Sequence, residues 1–158
     1  MGMAERERDA ELYRKLAAEL TRFATALVGP HDAADVVSEA FVRCLSSKQW
    51  PGVAEKRAYL YRSVYHEALR SGRAQSRRRS REERAAQPVS LDQPELRPEV
   101  RVAIAQLSLR QRAVVILTYW DDLTPQSIAA LLRISDGSVR RHLARARSHL
   151  KETLDADD

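Results

Sequence analysis

Residues 123–147 read Leu123-Thr124-Pro125-Gln126-Ser127-Ile128-Ala129-Ala130-Leu131-Leu132-Arg133-Ile134-Ser135-Asp136-Gly137-Ser138-Val139-Arg140-Arg141-His142-Leu143-Ala144-Arg145-Ala146-Arg147. The pattern is two short helices joined by a tight turn. Thr124 is a helix cap, and Pro125 follows at the first helical position, where a missing N–H costs nothing. Ile128, Leu131 and Leu132 form one apolar stripe. Ser135 starts the second helix, with Asp136 at the positive end of its dipole. Val139, Leu143, Ala146 and Leu150 recur at steps of four, three and four, so they share a buried face. Ser138, Arg141 and Arg145 project from the other side, while Arg140 and Arg147 flank the buried face. This is the layout of a helix-turn-helix, whose second helix enters the major groove of DNA. An arginine fork can take guanine O6 and N7 together or clamp a phosphate. The competing reading is a solvated basic helix on some other helical domain.

The whole chain has 158 residues, 44% hydrophobic and 31% charged, with a net charge of +5. That is enough for one ordinary domain or two small ones. Its pI near 9.7 points to a polyanionic partner. The charge is unevenly distributed. Residues 1–45 hold six Lys/Arg against eight Asp/Glu, residues 56–84 hold ten against three, and residues 133–151 hold six against one. One acidic stretch therefore precedes two basic ones. The single cysteine, Cys44, rules out an intrachain disulfide and falls on an apolar helix face. No stretch approaches the roughly 20 apolar residues of a membrane span. No signal peptide is visible, so a cytoplasmic location is expected.

No segment alternates with period two for long, so an all-α fold is expected. Leu12, Leu16, Leu20, Phe23 and Leu27 mark a first helix, ended by Gly29-Pro30. Asp32 begins a second, with Val37, Ala40, Phe41, Cys44 and Leu45 inward, closed by Trp50-Pro51-Gly52. A third is expected from about Glu55 to the low seventies, with Leu60, Val64, Ala68 and Leu69 inward; Gly72 either loosens its end or the arginine run beyond extends it. Residues 74–97, bearing Arg77-Arg78-Arg79-Ser80-Arg81 and two prolines, have too little apolar content to pack a core and read as a linker. Val100, Ile104 and Leu107 give a short helix, and Leu109 to Trp120 another, before the helix-turn-helix. The expected organisation is a helical module at 1–73, a linker at 74–97 and a second helical module at 98–158.

Two further stretches suggest binding. The third helix carries Arg57, Arg62, Arg70 and Arg73 among Tyr59, Tyr61, Tyr65 and His66. Basic residues among aromatic rings suit a single nucleic-acid strand, with phosphates on arginine and bases on rings; the plainer reading has some of these tyrosines lining the core. In the second helix Asp35, Glu39 and Arg43 lie at i, i+4 and i+8 and form one polar stripe. It is either a solvated face with an internal ion pair or a docking surface. Nothing suggests an enzyme: His31, His66, His142 and His149 show no metal-ligand spacing, and there is no glycine-rich phosphate loop or nucleophile elbow. No metal or cofactor is expected.

In this order the parts resemble a bacterial RNA polymerase sigma factor of the two-domain, extracytoplasmic-function type. Asp32-Ala-Ala-Asp35-Val-Val-Ser-Glu39-Ala-Phe41-Val-Arg43 is similar to the helix of sigma domain two that docks on the polymerase clamp. Arg57-Ala-Tyr59-Leu60-Tyr61-Arg62 is similar to the start of the promoter-melting helix. Leu107-Ser-Leu-Arg110-Gln111-Arg112 through Leu123 leads into the helix-turn-helix as in sigma domain four. The resemblance spans nearly residues 9–152.

It implies a factor that catalyses nothing and gives core polymerase its promoter specificity. Domain two would sit on the clamp and hold the melted minus-ten element. Domain four would sit on the flap and read the minus-thirty-five duplex. By position, Asp35, Glu39 and Arg43 are implied as docking residues; Arg62, Tyr65, His66 and Arg70 as minus-ten residues; Ser138, Arg140, Arg141, Arg145 and Arg147 as minus-thirty-five residues. An anti-sigma factor is a further possible partner. The chain departs from the family pattern at Ser38, at Tyr65, His66 and Arg70, and at Ser127. Two other readings stand beside this one: a stand-alone helix-turn-helix regulator, and a sigma-like antagonist that binds polymerase.

Overall fold

The computed structural model describes residues 2–82 and 97–156, and in these residues all regular structure is helical. The helices are α1 (Met3–Val28), α2 (Ala33–Ser46), α3 (Lys56–Glu82), α4 (Pro98–Ala105), α5 (Leu109–Tyr119), α6 (Pro125–Leu132) and α7 (Asp136–Ala156), with a 3-10 turn at Trp50–Gly52. The expected linker residues 83–96 and the last two residues of the acidic tail, Asp157 and Asp158, lie outside the described residues.

The first module is a three-helix unit. Leu20, Phe23 and Leu27 of α1, Val37, Ala40 and Cys44 of α2, and Leu60, Val64 and Ala68 of α3 close its core. Gly29 stops α1 at φ +88°, a conformation that favours glycine, and its N–H bonds the Thr25 carbonyl at 2.9 Å. The 3-10 turn after α2 buries Trp50 against Phe41 and Tyr59. The Trp50 indole N–H donates to Asp9 Oδ1 at 3.1 Å, so the carboxylate of Asp9, almost wholly buried, has a partner.

The second module starts with α4 and the Ser108 capping box. The Gln111 N–H donates to Ser108 Oγ at 3.2 Å, and the Ser108 N–H donates to Gln111 Oε1 at the same distance. Ile104, Leu117, Ile128, Leu132 and Val139 fill its interior.

The two modules pack on one another rather than standing apart. α5 lies against α1 and α3, and α6 lies against α3, so one apolar cluster runs through both. The junction is fastened by Arg112 of α5. Its guanidinium donates to the carbonyls of Leu27 at 2.6 Å and Ala26 at 3.5 Å, at the end of α1. It also donates to Ala105 at 3.1 Å and Leu107 at 3.0 Å, where α4 ends. One cation therefore satisfies the last carbonyls of two helices at their negative ends.

The third helix differs from its expected bounds. It passes through Gly72 and continues to Glu82, taking in the first nine residues of the expected linker. Gly72 marks a close approach instead of a loose end: a Cβ there would stand 3.2 Å from the Leu109 side chain of α5.

Replacing Arg112 with Met should remove these charged hydrogen bonds and lower stability by about 2–3 kcal/mol. The melting temperature should fall by roughly 5–10 °C. Denaturant titration of both chains measures this; an unchanged midpoint would remove Arg112 from its role at the junction.

Candidate nucleic-acid interface

The helix-turn-helix is built by its caps. Thr124 Oγ1 accepts the Ser127 N–H at 3.1 Å to start α6, and Ser135 Oγ accepts the Ser138 N–H at 3.1 Å to start α7. Between them Arg133 adopts φ +53° and ψ +49°, and the Ile134 N–H returns to the Ala129 carbonyl at 3.1 Å. This left-handed residue sets the angle at which α7 leaves α6. Arginine there carries a steric cost that glycine would not.

Val139, Leu143 and Ala146 of α7 are buried and Leu150 is half-buried, as the sequence spacing requires. On the opposite side Arg141 and Arg145 are exposed, with Ser138 half-buried at the helix start. The Ser138 hydroxyl is engaged by the Ser135 hydroxyl at 2.9 Å. Arg140 is exposed beside the buried stripe. Arg147 is exposed too, but its Nε–H donates to the Tyr119 hydroxyl at 2.9 Å, with the guanidinium 5.9 Å from that ring. Tyr119 thus orients Arg147, a pairing across 28 residues that no local pattern reveals.

The minus-ten candidates divide. Tyr65 is only 2% exposed and lies in the core, not on the outward side expected for it. Burial pushes its hydroxyl up, and the facing Arg110 partly offsets this. Tyr61 is likewise buried, with its hydroxyl on Glu19 at 3.0 Å and the Arg57 guanidinium forked on the same carboxylate. The plainer reading, core tyrosines, therefore holds for both. Arg62 is half-buried; its Nε–H donates to the Leu131 carbonyl of α6 at 3.1 Å, with the guanidinium 5.9 Å from the Tyr59 ring. His66 and Arg70 are exposed.

Of the docking candidates, Asp35 and Glu39 are exposed on α2. Arg43 does not close an ion pair within their stripe; it pairs with Glu67 of α3. Glu67 is buried and also holds Arg70 at 2.9 Å, so one carboxylate joins the α2 face to the α3 face. Sequence reading missed this because a lone Glu between His66 and Ala68 carries no sign of its partners.

Two histidines sit among these arginines. His66 has its pKa lowered by burial, then by Arg70 and Arg62. His142 has its pKa lowered by burial, then by Arg110, Arg141 and Arg145. Among the described residues no group of His, Cys, Asp and Glu is arranged to hold a metal ion. None of their helices is long and apolar enough to cross a membrane.

Residues 12–78 match the pattern of sigma-70 region 2, and residues 97–150 match that of sigma-70 region 4. An RNA polymerase sigma-E factor of Streptomyces avermitilis is 33% identical over 146 residues, covering 88% of this chain and 80% of that protein. This chain belongs to the sigma-70 family. It is a sigma factor of the extracytoplasmic-function type, with region 2 and region 4 in the expected order. A sigma-E factor of Streptomyces antibioticus is 32% identical over 135 residues, covering 82% of this chain and 74% of that one. The fold agrees with two solved structures. Bartonella quintana RpoE, solved with the anti-sigma factor NepR, aligns at TM-score 0.67 and 20% identity, over 94% of this chain and 99% of that one. CnrH, solved with the cytosolic domain of CnrY, aligns at TM-score 0.64 and 21% identity, over 97% and 91%.

Two outcomes follow from the local chemistry. Arg133→Gly should relieve the left-handed turn and the repulsion with Arg62, raising stability by about 0.5–1 kcal/mol; a lower denaturation midpoint would contradict it. For His66 and His142 the folded pKa lies below the unfolded value of about 6.5, so the unfolded chain binds more protons just below that pH. Their contribution is intact above that value and is lost as pH falls toward the depressed folded values. A chain with His66→Gln and His142→Gln should lose less stability than wild type between pH 7 and 5.5, read by denaturation at each pH.

Proposed function

We propose that this sigma factor joins core RNA polymerase in the cytoplasm, catalyses no reaction itself, and divides promoter reading between its modules. The observation that carries this reading is the one-sided arginine face of α7, held by two capped helices, on a chain that also carries region 2. Arg141 and Arg145 read base edges of the minus-thirty-five duplex, with Ser138 at the helix start. Arg140 and Arg147 take flanking phosphates, Arg147 from the position that Tyr119 gives it. Domain four sits on the polymerase flap as it does so.

In the first module, Arg62, His66 and Arg70 take the melted minus-ten strand, and Tyr65 supports them from the core. The exposed Asp35 and Glu39 dock on the polymerase clamp, while Arg43, paired with Glu67, sets the edge of that face. An anti-sigma factor is a natural further partner, since Bartonella quintana RpoE was captured with one. Arg62 gives its Nε–H to the Leu131 carbonyl, and the four remaining N–H donors of its guanidinium are those that would take phosphate.

Arg141→Ala with Arg145→Ala should weaken binding to the upstream element by roughly 10-fold or more per lost base contact, with polymerase association retained. Footprinting on a matched promoter measures it, and full protection in the double variant would refute the assignment. Glu39→Arg should reduce capture of core polymerase in a pull-down without unfolding the chain; equal capture would remove α2 from the docking face. Transcription in vitro with purified core polymerase tests the whole reading. Duplex binding that needs no core, or core binding with no initiation, would favour a regulator or an antagonist instead.

A further inference from the structure

The seam where the second module meets α3 gathers positive charge from both modules. Arg62 gives its Nε–H to the Leu131 carbonyl, near the end of α6, at 3.1 Å. That contact brings its guanidinium toward Arg133, two residues beyond Leu131, and the two cations repel across the junction. The Arg133 guanidinium is exposed and has no hydrogen-bond or ion-pair partner among the described residues. Its backbone is left-handed at φ +53°, where arginine carries a steric cost. Position 133 therefore opposes stability twice, through its backbone and through its charge. Costs of this kind gather where a ligand is held.

The same sign continues along the seam. His66 stands one turn beyond Arg62 on α3, with its ring 5.5 Å from that of Tyr65. Arg110, at the start of α5, hydrogen-bonds the Tyr65 side chain and acts on His142 of α7. The Nδ1 atom of His142 is buried without a hydrogen-bond partner. The charged side chains that act on His66 and on His142 are all arginines. Arg62 feels Arg133 and, beside it, Tyr59. The nearby carboxylate of α3, Glu67, is already engaged by Arg43 and Arg70.

We propose that Arg62 and Arg133, with His66 and Arg110 beside them, form a site for a compact anion of linked phosphates, which bridges the two modules and holds them together. The donor count favours linked phosphates. Arg62 keeps four N–H donors after serving Leu131, and Arg133 has five, in forks that match phosphate oxygens. A nucleic-acid strand needs exposed rings on which bases stack. Here Tyr61 and Tyr65 are buried, and Tyr59 lies under the Arg62 guanidinium at 5.9 Å. A protein interface needs an apolar centre. The exposed large apolar residues are Met3, Tyr13, Val42, Val102 and Tyr119, and none belongs to the seam. An anion that touches both modules binds their packed arrangement better than a separated one, so it shifts the chain toward the packed form. It would also occupy Arg62 against melted DNA. That consequence rests on the minus-ten reading; the anion site itself does not.

The test titrates the full-length chain, without polymerase or DNA, with tripolyphosphate in a calorimeter at fixed ionic strength. One saturable site per chain is expected, and inorganic phosphate should bind it roughly 10-fold more weakly or worse. Arg133→Asn keeps a residue that tolerates the left-handed turn. It and Arg62→Gln should each weaken binding by about 10-fold or more, the worth of one charged hydrogen bond. The double variant should lose less than the product of the two, because both arginines hold one anion. Arg14→Gln, on the α1–α2 face, should leave binding unchanged. Tripolyphosphate should raise the denaturation midpoint of the wild-type chain more than that of Arg133→Asn. ATP in a second arm separates two sources of the same chemistry: equal affinity supports a site for the phosphate chain alone, and tighter binding supports a nucleotide. If Arg62→Gln fails to fold, the stoichiometry and Arg133→Asn decide. Absence of saturable binding overturns the proposal. So do two independent sites each lost to one variant, or an equal loss in Arg14→Gln. A single-stranded oligonucleotide held by these arginines where tripolyphosphate is not would overturn it too, and would assign the seam to nucleic acid. Initiation by the wild-type chain with core polymerase is scored separately, so failure here leaves the sigma reading to stand or fall on its own result.

Discussion

One guanidinium controls how the two halves of this protein meet. Arg112 reaches from α5 to the last carbonyls of α1 and of α4. Three of these carbonyls lie in the last turn of a helix and the fourth, of Leu107, just beyond one. Bringing four acceptors around one planar cation fixes α5 against the first module. The position of α6 then follows, because α6 packs on α5, and with it the meeting of Leu131 and Arg62. The candidate nucleic-acid faces of the two modules are thus oriented by a contact remote from both.

That dependence gives the candidate interface its particular form. The exposed arginines of α7 stand on a helix whose apolar side is buried at Val139, Leu143 and Ala146, so they are held on a packed support. The α3 face is different. Its aromatic rings are mostly consumed by packing: Tyr61 is tied to Glu19, and Tyr65 is buried facing Arg110. What α3 offers outward is cationic. Glu67 ties that face to α2 through Arg43 and Arg70, so the α2 and α3 faces are joined by one carboxylate.

The sequence carried the local features well because each rests on short-range chemistry. Thr124-Pro125 and Ser135-Asp136 announce helix starts through cap and dipole effects that need no distant partner. The spacing of Val139, Leu143, Ala146 and Leu150 gives the buried side of α7, and therefore the exposed side of Arg141 and Arg145. Family membership was legible for the same reason, since it lies in ordered motifs along the chain. The reading failed where a residue's role depends on something far away. The sequence leaves open whether α3 stops at Gly72; the structure carries the helix through it, with the Leu109 side chain of α5 3.2 Å from where a Cβ would stand. Tyr65 is a minus-ten candidate by its place in the family pattern, yet three-dimensional packing turns it inward.

By itself, then, the sequence determined which segments are helices, which side of each is apolar, and that the chain is a two-region sigma factor. Periodicity and capping act within a turn or two of the chain, so they survive in one dimension. Only the tertiary structure decided that the modules share a core, that Arg112 fastens them, and that Arg147 answers to Tyr119, Arg43 to Glu67 and Arg62 to Leu131. Those pairings join residues 24 to 86 positions apart. No local pattern encodes them, because each depends on how whole helices pack.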